Sequence, residues 1–307
     1  MIVAGGAANL NVCGKLSENP QAWSSSMNNG TPATVFSERE FQVCLLASLV
    51  SEGRSYWVAG GGGPLYAVLL AQAFHAPHAT YITEDGVIAP EPALPFDPIG
   101  GMVSSRAGYR ALEWGTMNTA GDYARLGHMD YGIINTLQID PYGNINSTWL
   151  GDYATEGRRF GGPGGADSIA ALCWRTILAT DQQERKFVPQ MDFISSPGFL
   201  DGTPGAREAA GLPTETGPWR VATPWALFDY EEESRHLRLM ARSPWVTTEQ
   251  VLSEMGFRPR LAENIDVLDP PTEEQLEILR TKLDVDGRFS SSEKMVQRTE
   301  NGKYELL

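Results

Sequence analysis

Cysteine and histidine are scarce in this chain of 307 residues, which has three cysteines and four histidines. Cys13, Cys44 and Cys173 are too few and too scattered for a disulfide framework, and none stands in a Cys-x-x-Cys spacing. His75 and His78 form the sequence HAPH, but the proline between them disfavours a helix and no further ligand completes a metal site nearby. We therefore expect no metal site and thiols that stay reduced.

Positive charge is also in short supply. The chain has 24 Lys and Arg against 38 Asp and Glu, for a formal net charge of -14, and the basic residues form no cluster. Nucleic-acid backbones and anionic membranes would repel such a chain, so neither is an expected partner. No run approaches the ~18 apolar residues of a membrane-spanning helix, and the first residues lack the pattern of a signal peptide. These absences predict a soluble, cytoplasmic protein.

A glycine-rich turn stands between two apolar runs. Residues 55–59 read SYWVA, four glycines follow at 60–63, residues 64–74 have the length and apolar character of a helix, and residues 78–83 read HATYIT. This order predicts a parallel βαβ unit, which places both strand ends at one edge of the sheet, where open α/β folds bind ligands. Glu84 follows the second strand, so the glycines and this carboxylate are expected to share a pocket.

Two roles fit a carboxylate at the position of Glu84. A dinucleotide-binding fold places phosphates at a glycine turn and a ribose-binding acid roughly two dozen residues later. Against this role, Leu65 or Tyr66 occupies the place of the third glycine in the GxGxxG fingerprint. The alternative is a catalytic carboxylate, and the residues of this segment leave both roles open.

Composition divides the chain into three parts. Residues 1–36 are rich in Gly, Asn, Ser and Pro and are interpreted as an N-terminal extension, residues 37–290 as the main domain, and residues 291–307 as a polar C-terminal tail. Ser37 and Glu40 have the spacing of a capping box at a helix start. The expected class is α/β, with an open mixed, mainly parallel sheet flanked by helices and extended by β-hairpins.

Local patterns predict further elements in the second half of the chain. Runs rich in β-formers on either side of short turns predict hairpins within residues 131–151 and 226–242, and DFISS at residues 192–196 predicts a short strand. A second glycine turn, GGPGGAD, leads into a helix that Asp167 or Ser168 is expected to cap.

Two adjacent arginines, Arg158 and Arg159, precede the second glycine turn. The planar guanidinium is suited to phosphate oxygens, but a pair of adjacent arginines is more commonly a solvated face. The sequence leaves both interpretations open.

Several linked motifs resemble those of one family. QIDPYGNINST, the GGPGGAD loop, ERKFV, DFISSPGFLDG and GLPTETGP lie between residues 138 and 218, in the order and near the spacing found in the beta subunits of glutaconate CoA-transferases, within the family I CoA-transferases. The likeness covers residues 37 to about 290. The family's catalytic glutamate stands in a Glu-x-Gly motif after a strand, and Glu84, Asp85 and Gly86 are similar to that motif.

The resemblance implies a function for Glu84. It would be the nucleophile of a ping-pong reaction that moves CoA between an acyl-CoA and a carboxylic acid, with a dicarboxylic acid expected, through a glutamyl-CoA thioester. The resemblance also implies residues that bind CoA or the reaction's oxyanion, namely Gly162, Gly164, Gly165 and Ala166. Residues that would line the pocket are Gly61, Gly62, Gly63 and Gly86.

The same resemblance implies partners. CoA would be a co-substrate, with no permanently bound cofactor, and a separately encoded alpha subunit would complete an α2β2 or larger assembly. The chain departs from the family pattern at Asp85, where the family has Ser or Asn, and at Asn135 and Thr136, which replace a glycine pair. These departures lie where they could alter the pocket.

Alternatives to transfer remain within the resemblance and outside it. Similar proteins hydrolyse carbon–carbon bonds of CoA esters or decarboxylate an acyl-CoA, but they lack this glutamate in the beta subunit, so Glu84 favours transfer. A dinucleotide-dependent oxidoreductase and a non-enzymatic ligand-binding subunit are the remaining hypotheses.

Overall fold

The computed structural model describes residues 30–59, 62–94, 104–289, 291 and 294–307. In this part of the chain the α-helices are α1 (Glu38–Ser48), α2 (Gly63–Phe74), α3 (Met117–Arg125), α4 (Ala166–Leu172), α5 (Ala206–Ala209), α6 (Thr248–Ser253) and α7 (Glu273–Ile278). A 3₁₀-helix spans Glu184–Lys186 and a π-helix spans Leu279–Leu283.

The strands of the described residues are β1 (Val35–Ser37), β2 (Ser55–Ala59), β3 (Thr80–Thr83), β4 (Val87–Ile88), β5 (Glu113–Trp114), β6 (Tyr131–Asn135), β7 (Gln138–Ile139), β8 (Ile145–Asn146), β9 (Trp149–Asp152), β10 (Glu156–Arg159), β11 (Arg175–Ala179), β12 (Gly217–Ala222), β13 (Ala226–Tyr230), β14 (Leu237–Arg242), β15 (Arg260–Val267), β16 (Met295–Arg298) and β17 (Tyr304–Leu306).

A mixed sheet forms the centre of the molecule. Within the described residues it has ten strands, in the order β15-β14-β13-β12-β11-β6-β2-β3-β4-β5. The five neighbours from β12 to β3 pair in parallel. Their side chains are almost all buried, as in parallel sheets covered on both faces. Antiparallel β13 and β4 continue the sheet on its two sides. The expected fold class is confirmed.

The βαβ unit predicted around the first glycine turn is present. Strands β2 and β3 pair in parallel, with Tyr56 opposite Tyr81, and α2 connects them. Helix α2 packs against β2, β6 and α1. Pro64 stands in its first turn, where the missing N–H of proline has no effect on the helix ladder. The C-terminal ends of the parallel strands therefore lie at one edge, as the crossover requires.

Helix α1 begins where the sequence predicts. Ser37 Oγ accepts a bond from Glu40 N at 3.1 Å, and Glu40 Oε2 accepts one from Ser37 N at 2.8 Å, which completes the capping box. The helix is buried on most sides, and its Gln42 side chain donates to the carbonyls of Thr180 and Ala222 at the ends of β11 and β12. Helix α1 is thereby fixed to the same sheet edge.

The C-terminal segment differs from the polar tail predicted for it. Strand β16 pairs with β1, and β17 pairs with β16, in a separate three-stranded sheet. Phe36 from β1, Val296 from β16 and Tyr304 from β17 are buried in the core. Composition indicated a tail because most side chains here are polar, but alternate residues of a strand face opposite sides, so a few apolar side chains suffice to anchor it.

Three local predictions are corrected or refined. Gly165, rather than Asp167 or Ser168, is the N-cap of α4, which starts earlier than expected. Residues 192–196 form no strand, although Ser196 makes an isolated bridge to Ile145. Within residues 131–151, β7 and β8 pair in a two-stranded sheet of their own, while β6 belongs to the central sheet. The predicted hairpin of β13 and β14 is confirmed.

Candidate active site

Glu84 lies in the tight turn between β3 and β4. Gly86 N donates to Thr83 O at 3.0 Å, which closes the turn around Glu84 and Asp85. Gly86 has a φ of +98°, a conformation that glycine adopts without strain. Glu84 is half-buried. The turn thus presents a carboxylate at the edge where the parallel strands end.

The second glycine turn reaches the Glu84 carboxylate directly. Gly165 N donates a hydrogen bond to Glu84 Oε1 at 2.7 Å. A Cβ atom on Gly164 would lie 2.1 Å from Glu84 Oε1, and one on Gly165 would lie 3.1 Å from Glu84 Cγ. The absence of side chains at both glycines therefore allows the backbone to approach the glutamate, and one N–H group orients its carboxylate.

A backbone ladder holds the glycine turn in place. Strands β9 and β10 form a hairpin, and the pairing continues beyond it with Phe160 N donating to Thr148 O at 2.8 Å and Gly162 N donating to Ser147 O at 3.0 Å. Asn146 Oδ1 accepts from Thr148 N at 2.9 Å, which fixes the opposite side of the ladder. The turn is therefore an extension of a paired strand.

The glycine-loop residues named in the sequence analysis do not all have the same surroundings. Gly164 and Gly165 contact Glu84. The N–H of Gly162 is bonded to Ser147, and the N–H of Ala166 donates to Pro163 O at 2.9 Å within the turn itself. The backbone N–H groups of Gly162 and Ala166 thus stabilise the turn, whereas the resemblance implies that these residues bind CoA or the oxyanion.

The described part of the first glycine turn packs against Phe289. Gly61 lies outside the described residues. A Cβ on Gly62 would lie 2.6 Å from the Phe289 ring, and one on Gly63 would lie 3.1 Å from it. The space beside these two glycines is therefore filled by an aromatic side chain from the C-terminal region.

Residues 115–116, which lie between β5 and α3, pack against the Glu84 turn. Gly115 N donates to Gly86 O at 3.1 Å, and a Cβ on Gly86 would lie 2.0 Å from Thr116 O. Thr116 also caps α3 in a box with Thr119. The glycines and prolines of this segment predicted a loop. They gave no signal for these contacts, because the contacts form only when the chain returns to Gly86 in the folded protein.

The Asp85 carboxylate has a different partner from that of Glu84. Asp85 Oδ1 accepts a short hydrogen bond from the Thr83 hydroxyl, whose oxygen accepts in turn from Val87 N at 3.0 Å. Thr83 is buried and Asp85 half-buried. The neighbouring carboxylate is therefore occupied in holding the turn together.

Metal and thiol chemistry find no support in the described residues. No group of three or more His, Cys, Asp or Glu side chains there could hold a metal ion. His78 contacts Glu52 near the surface, and His75 Nε2 lies 2.9 Å from Val50 O. Burial raises the pKa of the Cys44 and Cys173 thiols well above the usual range, so neither is a thiolate near neutral pH.

Asn144 is a buried hub that the sequence analysis did not single out. Its side-chain amide donates to Asp140 Oδ2 and to Leu200 O, both at 2.7 Å, while its Oδ1 accepts from Gly198 N at 2.8 Å and Leu200 N at 3.1 Å. The motifs QIDPYGNIN and SSPGFLDG meet at this residue. The motifs that resemble the family therefore include residues, such as Asn144, that hold the fold together.

A cavity of about 680 Å³ opens beside this hub. Its lining residues are Asp140, Asn144, Gln190, Met191, Ile194, Leu200, Asp201, Thr203, Pro204, Gly205, Ala206 and Ala209. Burial raises the pKa of the Asp140 carboxyl, against the opposing effect of its bonds from Asn144 and Tyr142. Glu84 does not contribute to the lining.

Comparisons with known proteins identify the family of the chain. The sequence profile described as coenzyme A transferase matches residues 59–254. The chain is 30% identical over 255 residues to the beta (B) subunit of glutaconate CoA-transferase from Acidaminococcus fermentans, covering 82% of this chain and 94% of that one. It is 31% identical over 252 residues to the corresponding (B) subunit of 3-oxoadipate CoA-transferase from Pseudomonas knackmussii, covering 80% and 93%.

Solved structures show the same relationship. The crystal structure of glutaconate coenzyme A-transferase from Acidaminococcus fermentans superposes with a TM-score of 0.76 at 28% identity, covering 84% of this chain and 98% of that one. The decarboxylase AibA/AibB, at a TM-score of 0.69 and 21% identity, covering 82% and 97%, shares the fold alone. Among the described residues no helix has the length and apolar character needed to cross a bilayer. The chain belongs to the coenzyme A transferase family.

Proposed function

We propose that this chain is the beta-type subunit of a CoA-transferase and that Glu84 is its nucleophile. The observation that carries the proposal is the hydrogen bond from Gly165 N to Glu84 Oε1, with Gly164 packed against the same carboxylate. A nucleophile needs a fixed orientation and access to its substrate, and Glu84 has a bonded oxygen in a half-buried setting.

The proposed reaction has two halves. A Glu84 oxygen attacks the thioester carbonyl of the donor acyl-CoA, and the C–S bond breaks to give an acyl-glutamyl anhydride and the CoA thiolate. The thiolate then attacks the Glu84 carbonyl, which releases the donor acid and leaves a glutamyl-CoA thioester. The acceptor carboxylate attacks that thioester, and the thiolate released attacks the acceptor's acyl carbon. The new acyl-CoA leaves and Glu84 is regenerated.

Each attack creates an oxyanion that requires hydrogen-bond donors. The N–H groups of Gly164 and Gly165 are the proposed donors from this chain, since both residues lie against the carboxylate that reacts. Gly162 and Ala166 contribute by holding the turn that carries these groups. The Gly86 turn and the first glycine turn, with residues 61–63, are proposed as pocket walls. CoA is the co-substrate, with no permanently bound cofactor.

A separately encoded alpha subunit is the proposed partner, in an α2β2 or larger assembly. Both relatives named above are, by name, one subunit of an enzyme that has at least one other, which supports a partner for this chain as well. Exposed apolar side chains next to the Glu84 turn give a second line of support. Leu112 is 82% exposed, Trp114 57% and Met117 47%, a grouping typical of surfaces that another protein covers.

The acceptor or the donor acid is proposed to be dicarboxylic. The two named relatives act on glutaconate and 3-oxoadipate, which both carry two carboxyl groups. One carboxyl group would receive CoA while the other would be bound elsewhere in the site. A panel of dicarboxylic and monocarboxylic acceptors tests this point directly.

The mechanism is tested on the chain copurified with its partner subunit. Incubation with candidate acyl-CoA esters should give a CoA adduct on the peptide that contains Glu84, seen by mass spectrometry and removed by hydroxylamine. Glu84→Gln and Glu84→Ala should lose at least about 10³-fold in kcat, while Glu277→Gln, an exposed glutamate on α7, should keep full activity. Full activity in Glu84→Ala contradicts the mechanism. Acyl-CoA cleavage without an acceptor would indicate a hydrolase instead.

A further inference from the structure

The hairpin of β9 and β10 presents two cations next to the glycine turn. All four residues of β10 are exposed, including Arg158 and Arg159. The ion pairs found within the described residues include neither arginine. Arg158 lies over the Phe160 ring, with its guanidinium carbon 5.1 Å from the centroid. Within the described part of the chain, two arginines without acidic partners are therefore held at the surface beside the site.

These cations stand out in a chain of formal net charge -14. CoA carries a diphosphate and a 3′-phosphate, so its nucleotide end would be repelled by the protein as a whole. Binding such an end requires local cations, and arginine matches phosphate oxygens with two parallel N–H donors.

A paired stretch of backbone connects the arginines to the glycine turn that contacts Glu84. Beyond Arg159, the strand pairing continues through Phe160 to Gly162, three residues before the Gly165 N–H that binds the glutamate. Six residues of chain span at most about 20 Å. The arm of CoA between its sulfur and its diphosphate has roughly 13 bonds and spans about 15 Å by the same geometry. The two lengths are similar, which is compatible with a CoA that has its sulfur at Glu84 and its diphosphate at this hairpin.

An aromatic surface lies on one face of the same hairpin. Arg159 is directly opposite Trp149, so both side chains lie on one face. The Tyr153 ring is 5.2 Å from Trp149 and 5.4 Å from Phe193, and the Tyr153 side chain is 63% exposed. Exposed aromatic rings beside arginine are a typical surface for an adenine base and its phosphates.

We propose that the β9–β10 hairpin binds the nucleotide end of CoA. Tyr153 stacks on the adenine, Arg159 binds the 3′-phosphate on the neighbouring ribose, and Arg158, on the other face beside Phe160, binds the diphosphate. Arg159 and Tyr153 both lie on the Trp149 side of the hairpin, so they are assigned to the 3′-phosphate and the adenine, which belong to the same nucleoside. Arg158 lies on the other face and is assigned to the diphosphate. This inference rests on the proposed function, since CoA must be the ligand whose sulfur reaches Glu84.

Calorimetric binding of CoA and 3′-dephospho-CoA to the assembled complex tests the inference. The complex carries Glu84→Gln, so that no covalent step occurs. With Arg159 intact, CoA should bind about 10-fold more tightly than 3′-dephospho-CoA, and Arg159→Gln should bring this ratio close to one. Arg158→Gln should weaken both ligands about 10-fold and leave the ratio unchanged. Arg185→Gln, an exposed arginine elsewhere, is the control and should change neither affinity.

Three results would overturn the inference. They are unchanged CoA affinity in both arginine variants, a ratio that collapses in Arg158→Gln alone, and dissociation of the complex in light scattering, which would make the hairpin a subunit interface. The proposed mechanism can fail separately. If CoA binding depends on Arg159 but active wild-type complex forms no adduct on Glu84, the mechanism is wrong and the nucleotide site stands. If the adduct forms but the arginines have no effect, only the nucleotide site is wrong.

Discussion

The backbone N–H of Gly165 donates a hydrogen bond to Glu84 Oε1 over 2.7 Å, although 81 positions separate the two residues in sequence. The contact depends on two local structures. A β-turn places Glu84 at the end of β3, and the ladder from β9 and β10 carries the glycine turn to the same edge of the sheet. A carboxylate without such a bond would have to be oriented anew in each catalytic cycle.

Adding a methyl group at Gly164 should abolish activity while the fold persists. Its Cβ would lie 2.1 Å from Glu84 Oε1, and its φ of +57° is unfavourable for alanine, so Gly164→Ala must displace the carboxylate or the turn. We expect kcat to fall at least about 100-fold in the assembled enzyme. Gly161→Ala, in the same turn, is the control for an added methyl group, because nothing lies within 4 Å of its Cβ position. Equal activity in the two variants would contradict the role given to the glycine turn.

Part of this site could be predicted from the sequence. The position of Glu84 after a buried strand followed from periodicity and from the parallel βαβ rule, while its nucleophilic role stays a prediction that the resemblance supplies. The division of labour in the glycine turn could not be predicted. Which N–H groups face the carboxylate, as in Gly165, and which bond inside the turn, as in Ala166, depends on φ and ψ at residues that all read as turn formers.

The elements of the fold can also be divided into those that the sequence predicted and those that it did not. Elements with local signals were predicted, such as the capping box of Ser37 and Glu40 and the hairpin of β13 and β14. Elements that form only by pairing with residues far away in the sequence were not predicted. Strand β16 is polar and short, and it forms because Val296 pairs with Phe36 across most of the chain. Residues 192–196 read as a strand, yet they find no continuous partner and make one bridge.

Gly86→Ala should destabilise the Glu84 turn through a steric clash. The Cβ would lie 2.0 Å from Thr116 O, a backbone atom that cannot rotate away, and φ is +98°. Gly127→Ala has a comparable φ of +81° with nothing within 4 Å, so it isolates the conformational effect. We expect a loss of about 1 kcal/mol in unfolding free energy for Gly127→Ala and at least about twice that for Gly86→Ala. Urea denaturation followed by fluorescence measures both.

Indistinguishable unfolding midpoints for the two alanine variants would show that residues 115–116 move aside easily. In that case the loop between β5 and α3 is adaptable, and the activity of Gly86→Ala should also be retained. A destabilised Gly86→Ala with reduced kcat supports a fixed contact between this loop and the turn that carries Glu84.

Asn144→Ala should be strongly destabilising. Truncation removes an amide that makes four hydrogen bonds at a buried position, and it leaves the N–H groups of Gly198 and Leu200 without their acceptor. Unsatisfied buried donors add to the lost bonds, so we expect a loss of about 2–4 kcal/mol. Asn301→Ala, at an exposed position, is the control and should change unfolding by less than about 0.5 kcal/mol. A small effect at Asn144 would mean that water replaces the amide.

Glu38 gives a prediction for the pH dependence of stability. The residue is 4% exposed at the start of α1, and burial raises the pKa of its carboxyl despite a hydrogen bond from Trp225 and the nearby Lys294. A carboxyl whose pKa is raised in the folded state stabilises the fold below its ordinary value of 4.5 and loses that contribution as pH rises through the folded pKa. Glu38→Gln keeps an acceptor for Trp225 and has no such loss.

The unfolding free energy of Glu38→Gln, relative to that of the wild type, should therefore increase from pH 4 toward pH 7. The expected change is a relative gain, because only the wild type must ionise a buried carboxyl as the pH rises. Denaturant titrations at several pH values measure it, with Glu277→Gln, at an exposed position, as the control. A relative stability that falls with pH would contradict the argument, because it would mean that the ion pair with Lys294 outweighs the desolvation of the carboxylate.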